Sequence, residues 1–400
     1  MKIDAYSILI ILSVLVVLSY LFNFLSSKLR IPSVLLLLGS GIGLNYAAQY
    51  FGFQLPQTRV LLEILGITGL IFIVLEASLD LSIQPKKFKF ISRALLSALG
   101  LMSITAAFIA LLFSYYFGAD FRQALLHAIP LSVISSAIAI PSVQNMDEER
   151  REFIVYESTF SDIVGIILFN YVLIDHESGL GSILSFSWNI VLVIVVSIIS
   201  TGFLVFLLNH TTAHVRFFLT FAILILIYSF AKFLNLPSLL VVLCFGLVLG
   251  NFRHFKHHLV LKFFSPERIS EITKELKVIT AETAFIIRTF FFLLFGFSID
   301  LNLLATSEVI LIGFAVIATT VILRLIFFRF ILKITSTPLM LIAPRGLITV
   351  LLFYSIPESQ RMAGLSEGVL FLVIVFTSLM MTVGLLINKQ APREEIQDVI

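Results

Sequence analysis

Apolar stretches about twenty residues long recur along the whole chain, and nothing else constrains its fold as strongly. From Tyr6 to Leu25 there is no charged residue. As a helix such a run matches the roughly 30 Å hydrocarbon layer of a bilayer. In lipid, every backbone N–H and C=O of the segment must be paired internally. Further runs lie near 33–51, 61–80, 94–117, 123–143, 153–174, 187–208, 216–233, 237–250, 278–299, 306–331, 338–356 and 367–388, so thirteen spans are expected. Charged residues make up 13% of the chain, against about 25% in soluble domains, and mean hydropathy is +1.07. The sequence is therefore read as an all-α polytopic membrane protein. The first run lacks a small-residue cleavage site and is read as a span. The single Cys244 excludes an intrachain disulfide. The 40 Phe residues are read as packing and lipid-facing groups, with no cofactor implied.

Loop charges set the orientation. Of the 27 Lys and Arg, 19 fall in one set of alternating loops and five in the other. The positive-inside rule then puts the N-terminus outside and the C-terminus in the cytoplasm. The odd number of spans divides the transmembrane unit, 1–388, into a repeat near 6–174, a linker helix near 187–208, a second repeat near 216–388, and a short tail, 389–400. Two six-helix units that begin on opposite sides form an inverted repeat. The fifth member of each carries a proline within an apolar stretch, Pro141 and Pro344. Matching interruptions point to crossed, broken helices around a midplane site. Ser265-Pro266-Glu267 has the form of a helix start, and the surrounding basic loop, with His254, His257 and His258, is read as solvated.

Three arginines remain inside spans: Arg288, Arg324 and Arg345. The same spans hold a compact acidic segment, Glu157-Ser158-Thr159-Phe160-Ser161-Asp162. A carboxylate at the centre of a membrane helix costs roughly 2.5–3.5 kcal/mol on insertion scales. At about 100° per residue, Glu157, Ser161, Ser158 and Asp162 fall on one helix face. Glu157 lies about 9 Å inward from Arg151, and Arg324 about 7.5 Å inward from Arg329 on the same side. An unpaired buried charge is far costlier than a paired one, so Glu157–Arg324 is the favoured structural ion pair. Arg345 offers an alternative partner, or a positive charge to satisfy the backbone at the helix break. Asp162 is left without an obvious cation, the state needed at a transport site where a proton and a monovalent metal cation compete. Glu76 fits a site residue and an interfacial, snorkelling residue equally well. Glu282 and Arg288 are six apart and poorly placed to pair on one helix.

These motifs resemble the NhaP-type sodium/proton exchangers of the cation:proton antiporter superfamily. The sixth-helix pattern Glu-Ser-Leu-Phe-Asn-Asp is matched by residues 157–162, the tenth-helix basic-aromatic pattern by Ile287-Arg288-Thr289-Phe290-Phe291, and the Arg-Gly element by Pro344-Arg345-Gly346. The resemblance implies that Asp162 binds the transported cation or proton, with Ser158 and a main-chain carbonyl near Ile138 or Ala139 as further ligands. It also implies a place for Glu76 near the ion, a Glu157–Arg324 pair, homodimers, and elevator-like exchange of Na⁺, or K⁺ or Li⁺, for H⁺. Two departures stand out. Ser161 replaces the family's Asn, and the fifth-helix Thr-Asp-Pro is read as Ala139-Ile140-Pro141, so fewer polar side chains are expected at the crossing. The expected setting is a bacterial inner membrane, with no nucleic-acid partner.

A sodium-coupled organic-solute symporter is the competing reading, disfavoured by a site rich in carboxylates and poor in Asn, Gln and Thr. Enzyme function is not expected, because the chain lacks His-Glu-x-x-His, Gly-x-Ser-x-Gly and a paired intramembrane Asp motif.

Overall fold

The computed structural model describes residues 5–29, 31–52, 58–81, 87–173, 188, 191–200, 202–204, 207, 216–234, 236, 238–251, 266–304, 306–334 and 336–387. His254, His257, His258, parts of the linker and the tail 389–400 lie outside them. The described residues form helices and no strands. In chain order these are α1 (Ala5–Leu29), α2 (Ser33–Tyr50), α3 (Thr58–Asp80), α4 (Phe88–Phe117), α5 (Phe121–Ser132), α6 (Ser136–Ser142) and α7 (Glu148–Leu173). After helical residues 191–200 come α8 (Arg216–Phe233), α9 (Ser238–Gly250), α10 (Pro266–Ser298), α11 (Leu301–Leu304), α12 (Ser307–Ile331), α13 (Thr337–Leu341), α14 (Leu347–Tyr354) and α15 (Glu367–Ile387).

By length and composition, five stretches among the described residues can cross a membrane: Phe88–Phe117, Phe121–Ser142, Thr273–Ser298, Ser307–Ile331 and Glu367–Ile387. Shorter apolar helices accompany them, among them Ile64–Leu79 and Ser238–Gly250. Several helices start earlier than hydropathy predicts, α4 and α10 by the most. The α4 helix begins at Phe88, because Lys89 and Arg93 interrupt apolarity without opposing helix formation. Helix α10 runs unbroken from Pro266, so the helix start read there and the tenth span belong to one element. Pro266 at its first position has no N–H to leave unpaired.

Helix α7 packs against α3, α4, α5, α6, α9 and α14. A second layer joins α10 to α2 and α3, and α12 to α4 and α15. Outside the spans, the Lys87 ammonium lies 2.6 Å from the Glu152 carboxylate, which pushes the lysine above its ordinary pKa and ties the start of α4 to that of α7.

The interruptions differ in one respect from the sequence expectation. The first lies at residues 133–135, between α5 and α6, and Pro141 sits inside α6. Ala139-Ile140-Pro141 is therefore not the crossing segment. The second interruption is at residues 342–346, with Pro344 at its centre. The two meet through a backbone hydrogen bond, Ser135 N–H to Pro344 O, at 2.8 Å. A Cβ added at Gly346 would run into Ser135 Oγ and the Ile138 side chain, so the two breaks approach closely at this glycine.

Candidate functional site

Helix α7 carries the acidic segment into this crossing, and Glu157, Ser158, Ser161 and Asp162 are all buried. Glu157 and Arg324 meet side by side: Nη1 donates to Oε1 at 2.9 Å and Nη2 to Oε2 at 2.8 Å. Ser97 adds a hydroxyl donor to Oε1 at 2.5 Å. The same guanidinium donates to the carbonyls of Leu339, Met340 and Ile342 at 2.9–3.1 Å, the C-terminal end of α13. It also lies over the Phe328 ring, 4.3 Å from the centroid. Both helices that flank this pair carry a widened π-type turn, Ser97–Leu101 in α4 and Phe327–Ile331 in α12. The turns touch where Gly100 faces Phe327, a contact that leaves little room for a side chain.

Arg345 does not pair with Glu157. Its Nε donates to Leu131 O at 2.9 Å, Nη2 to Ser132 O at 3.1 Å and Nη1 to Ala343 O at 2.7 Å. The positive charge thus sits on the open C-terminal end of α5, where carbonyls lack helical partners and the helix dipole is negative. Of the two roles open to Arg345 from sequence, the geometry matches the second.

Asp162 has a different environment. Its Oδ2 accepts the Ser136 hydroxyl and, at 3.3 Å, the Ser136 backbone N–H. Its Oδ1 is buried without a hydrogen-bond partner, as is Ser135 Oγ nearby in sequence. Among the described residues no Lys, Arg or His forms an ion pair with Asp162. Ser158, one turn earlier, donates to Ile154 O at 2.7 Å, which leaves its oxygen lone pairs open. Ser161 is engaged with the break itself, its Oγ accepting the Ile134 N–H at 2.9 Å.

Other expected ligands lie differently. The Ile138 carbonyl accepts from Ser142 Oγ and the Ala139 carbonyl from Val143 N–H. Both are taken up within α6, and the extended backbone at the crossing is 133–135 instead. Arg288 reaches from α10 to Ala137 O at 2.5 Å and lies 3.9 Å from Glu76. Glu282 instead accepts from Tyr20 Oη at 2.8 Å. Glu76, Glu282, Arg288, Pro141 and Gln144 share the wall of a cavity of about 360 Å³.

Sequence reasoning missed Ser136 and Ser97. The Ser135-Ser136 pair in an apolar stretch was a visible signal. Its hydroxyls put two polar side chains at the crossing. Nothing in the sequence around Ser97 indicates a partner 60 residues away.

A polytopic helical membrane protein whose core encloses charges at a crossing of two broken helices is built as a transporter. The transmembrane sodium/hydrogen exchanger model matches residues 11–388, and the chain belongs to that family. No curated protein matches the chain by sequence. Among solved structures, the chain is similar to the sodium proton antiporter MjNhaP1 from Methanocaldococcus jannaschii at pH 8, with 18% identity, 94% of each chain covered and a TM-score of 0.68. A three-dimensional electron-microscopy map of the same antiporter gives 18% identity, 96% and 95% coverage and a TM-score of 0.65. At this identity the likeness is one of fold.

Proposed function

We propose that the chain exchanges one monovalent cation, Na⁺ and also K⁺ or Li⁺, for one H⁺ at Asp162, by exposing that carboxylate alternately to the two sides of the membrane. The observation that carries this reading is the unpartnered, buried Oδ1 of Asp162 beside arginines that are engaged elsewhere. A bare anion in an apolar core is costly. A proton or a cation on Oδ1 removes that cost, and the two compete for the same oxygen. If only neutralised forms cross between states, one-for-one, electroneutral exchange follows.

Ser158 and the hydroxyls of Ser135 and Ser136 supply oxygen ligands of the kind hard cations take. The cavity that contains Glu76 and Glu282 supports a place for both on the approach, where two carboxylates raise the local cation concentration. The orientation with the N-terminus outside rests on the loop charges. A homodimer in a bacterial inner membrane, with two inverted six-helix units, completes the proposal.

Reconstituted liposomes with an internal pH dye, given Na⁺, K⁺ and Li⁺ in turn, test the function. Asp162→Asn keeps size and hydrogen bonding but can neither titrate nor neutralise an ion, and its dye response is expected to vanish. Exchange by Asp162→Asn at the wild-type rate overturns the assignment.

A further inference from the structure

Two donors of Ser136, its backbone N–H and its hydroxyl, converge on Oδ2 of Asp162, while Oδ1 has none. The carboxylate is therefore two-faced. A proton bound to Oδ1 leaves both Ser136 bonds in place. A metal cation has other needs, because it requires several oxygen lone pairs around it and cannot accept a hydrogen bond. A hydroxyl offers one donor and two lone pairs and can rotate between these roles.

On this basis, and resting on the reading of Asp162 as the exchange site, we infer that Ser136 tells the two loads apart: its hydroxyl donates to Asp162 when the site is bare or protonated, and turns its oxygen to the ion when a cation binds. Ser136 is buried at the start of α6. One residue on, the Ala137 carbonyl is held by Arg288, so the backbone beneath the hydroxyl is fixed while the hydroxyl itself can turn. Ser135 Oγ, buried and unpartnered, is a second lone-pair donor in the same segment. The residue thereby serves both ligands of one site, and cation affinity and proton competition change together when it is altered.

Ser136→Ala removes the hydroxyl and keeps the backbone N–H. Losing a charge-assisted hydrogen bond favours the protonated carboxyl, so the cation competes less well at a given pH. Exchange is expected to persist, with the pH profile moved alkaline by about one unit and apparent Na⁺ affinity lowered about tenfold. Ser136→Thr, which keeps the hydroxyl, should restore both. Measurements use full-length protein in liposomes, with Asp162→Asn alongside. A Ser136→Ala profile and affinity equal to wild type, with Asp162→Asn inactive, overturns the role of Ser136 and leaves Asp162 as the site. An active Asp162→Asn overturns the underlying reading. If Ser136→Ala does not transport, Na⁺-dependent thermal stabilisation in detergent decides: a weakened shift supports the inference and an undiminished one overturns it.

Discussion

The two broken helices solve the same electrostatic problem at one end and differ at the other. Where α5 stops, Arg345 takes the carbonyls of Leu131 and Ser132; where α13 stops, Arg324 takes those of Leu339, Met340 and Ile342. Backbone groups orphaned in a low-dielectric layer must find partners, and a guanidinium offers five donors in a fixed fork. At the restart of the chain the symmetry ends. The start of α6 faces the carboxylate of Asp162 through Ser136. The second break is met by neutral hydroxyls, with Arg345 N–H donating to Thr377 Oγ1 and Gly346 N–H to Thr349 Oγ1. Satisfying a break thus takes arginines and hydroxyls, and the second break shows that no carboxylate is required. The first break nevertheless places a buried carboxylate, Asp162, against its restart, and this asymmetry supports the transport role proposed for it.

The largest stability effect is expected at Arg324, the arginine that also neutralises a carboxylate. Arg324→Ala leaves Glu157 buried with Ser97 as its donor and frees three carbonyls. A loss of about 3–5 kcal/mol is expected, with part recovered when Glu157→Ala is added. Thermal melting in detergent measures both, and a double variant no more stable than the single one breaks the pairing.

Arg345→Met should cost less, about 1–3 kcal/mol, because it unpairs carbonyls and strands no carboxylate. Adding Glu157→Ala to Arg345→Met should give no recovery in the same melting assay. A recovery equal to that seen with Arg324 would erase the distinction between the two arginines.

The smallest effect should come from Thr377→Val, at the second break. It removes one hydroxyl from Arg345 N–H and costs about 1 kcal/mol. Exchange rate and pH profile in liposomes should remain those of the wild type, in contrast to Asp162→Asn. A shifted profile would show that the second break belongs to the ion site as well.

How legible this was varies along the chain. The apolar spans, the buried arginines and Asp162 could be read directly, because the cost of placing a group in lipid depends on its own chemistry and its depth along one helix. The choice of Glu157 for Arg324 was legible too, since both enter from the same side at similar depth. The position of the first break was not. A proline marks a helix that tolerates interruption, but Pro141 stays within α6, and the unwound residues 133–135 are held by groups distant in sequence, Ser161 and Pro344. The Ile138 and Ala139 carbonyls each accept a hydrogen bond from a residue four positions on.

The sequence by itself therefore determined that this is a helical membrane protein, which of its charges are buried, and which carboxylate lacks an obvious partner. Those properties follow from residue chemistry and position along single spans. Tertiary structure decided where the helices break and which hydroxyls line the site. It also gave Arg345 to the end of α5 and turned Ser136 toward Asp162. Each of these depends on angles and distances between segments tens to hundreds of residues apart, and hydrogen bonds form only when both partners arrive within about 3 Å of each other.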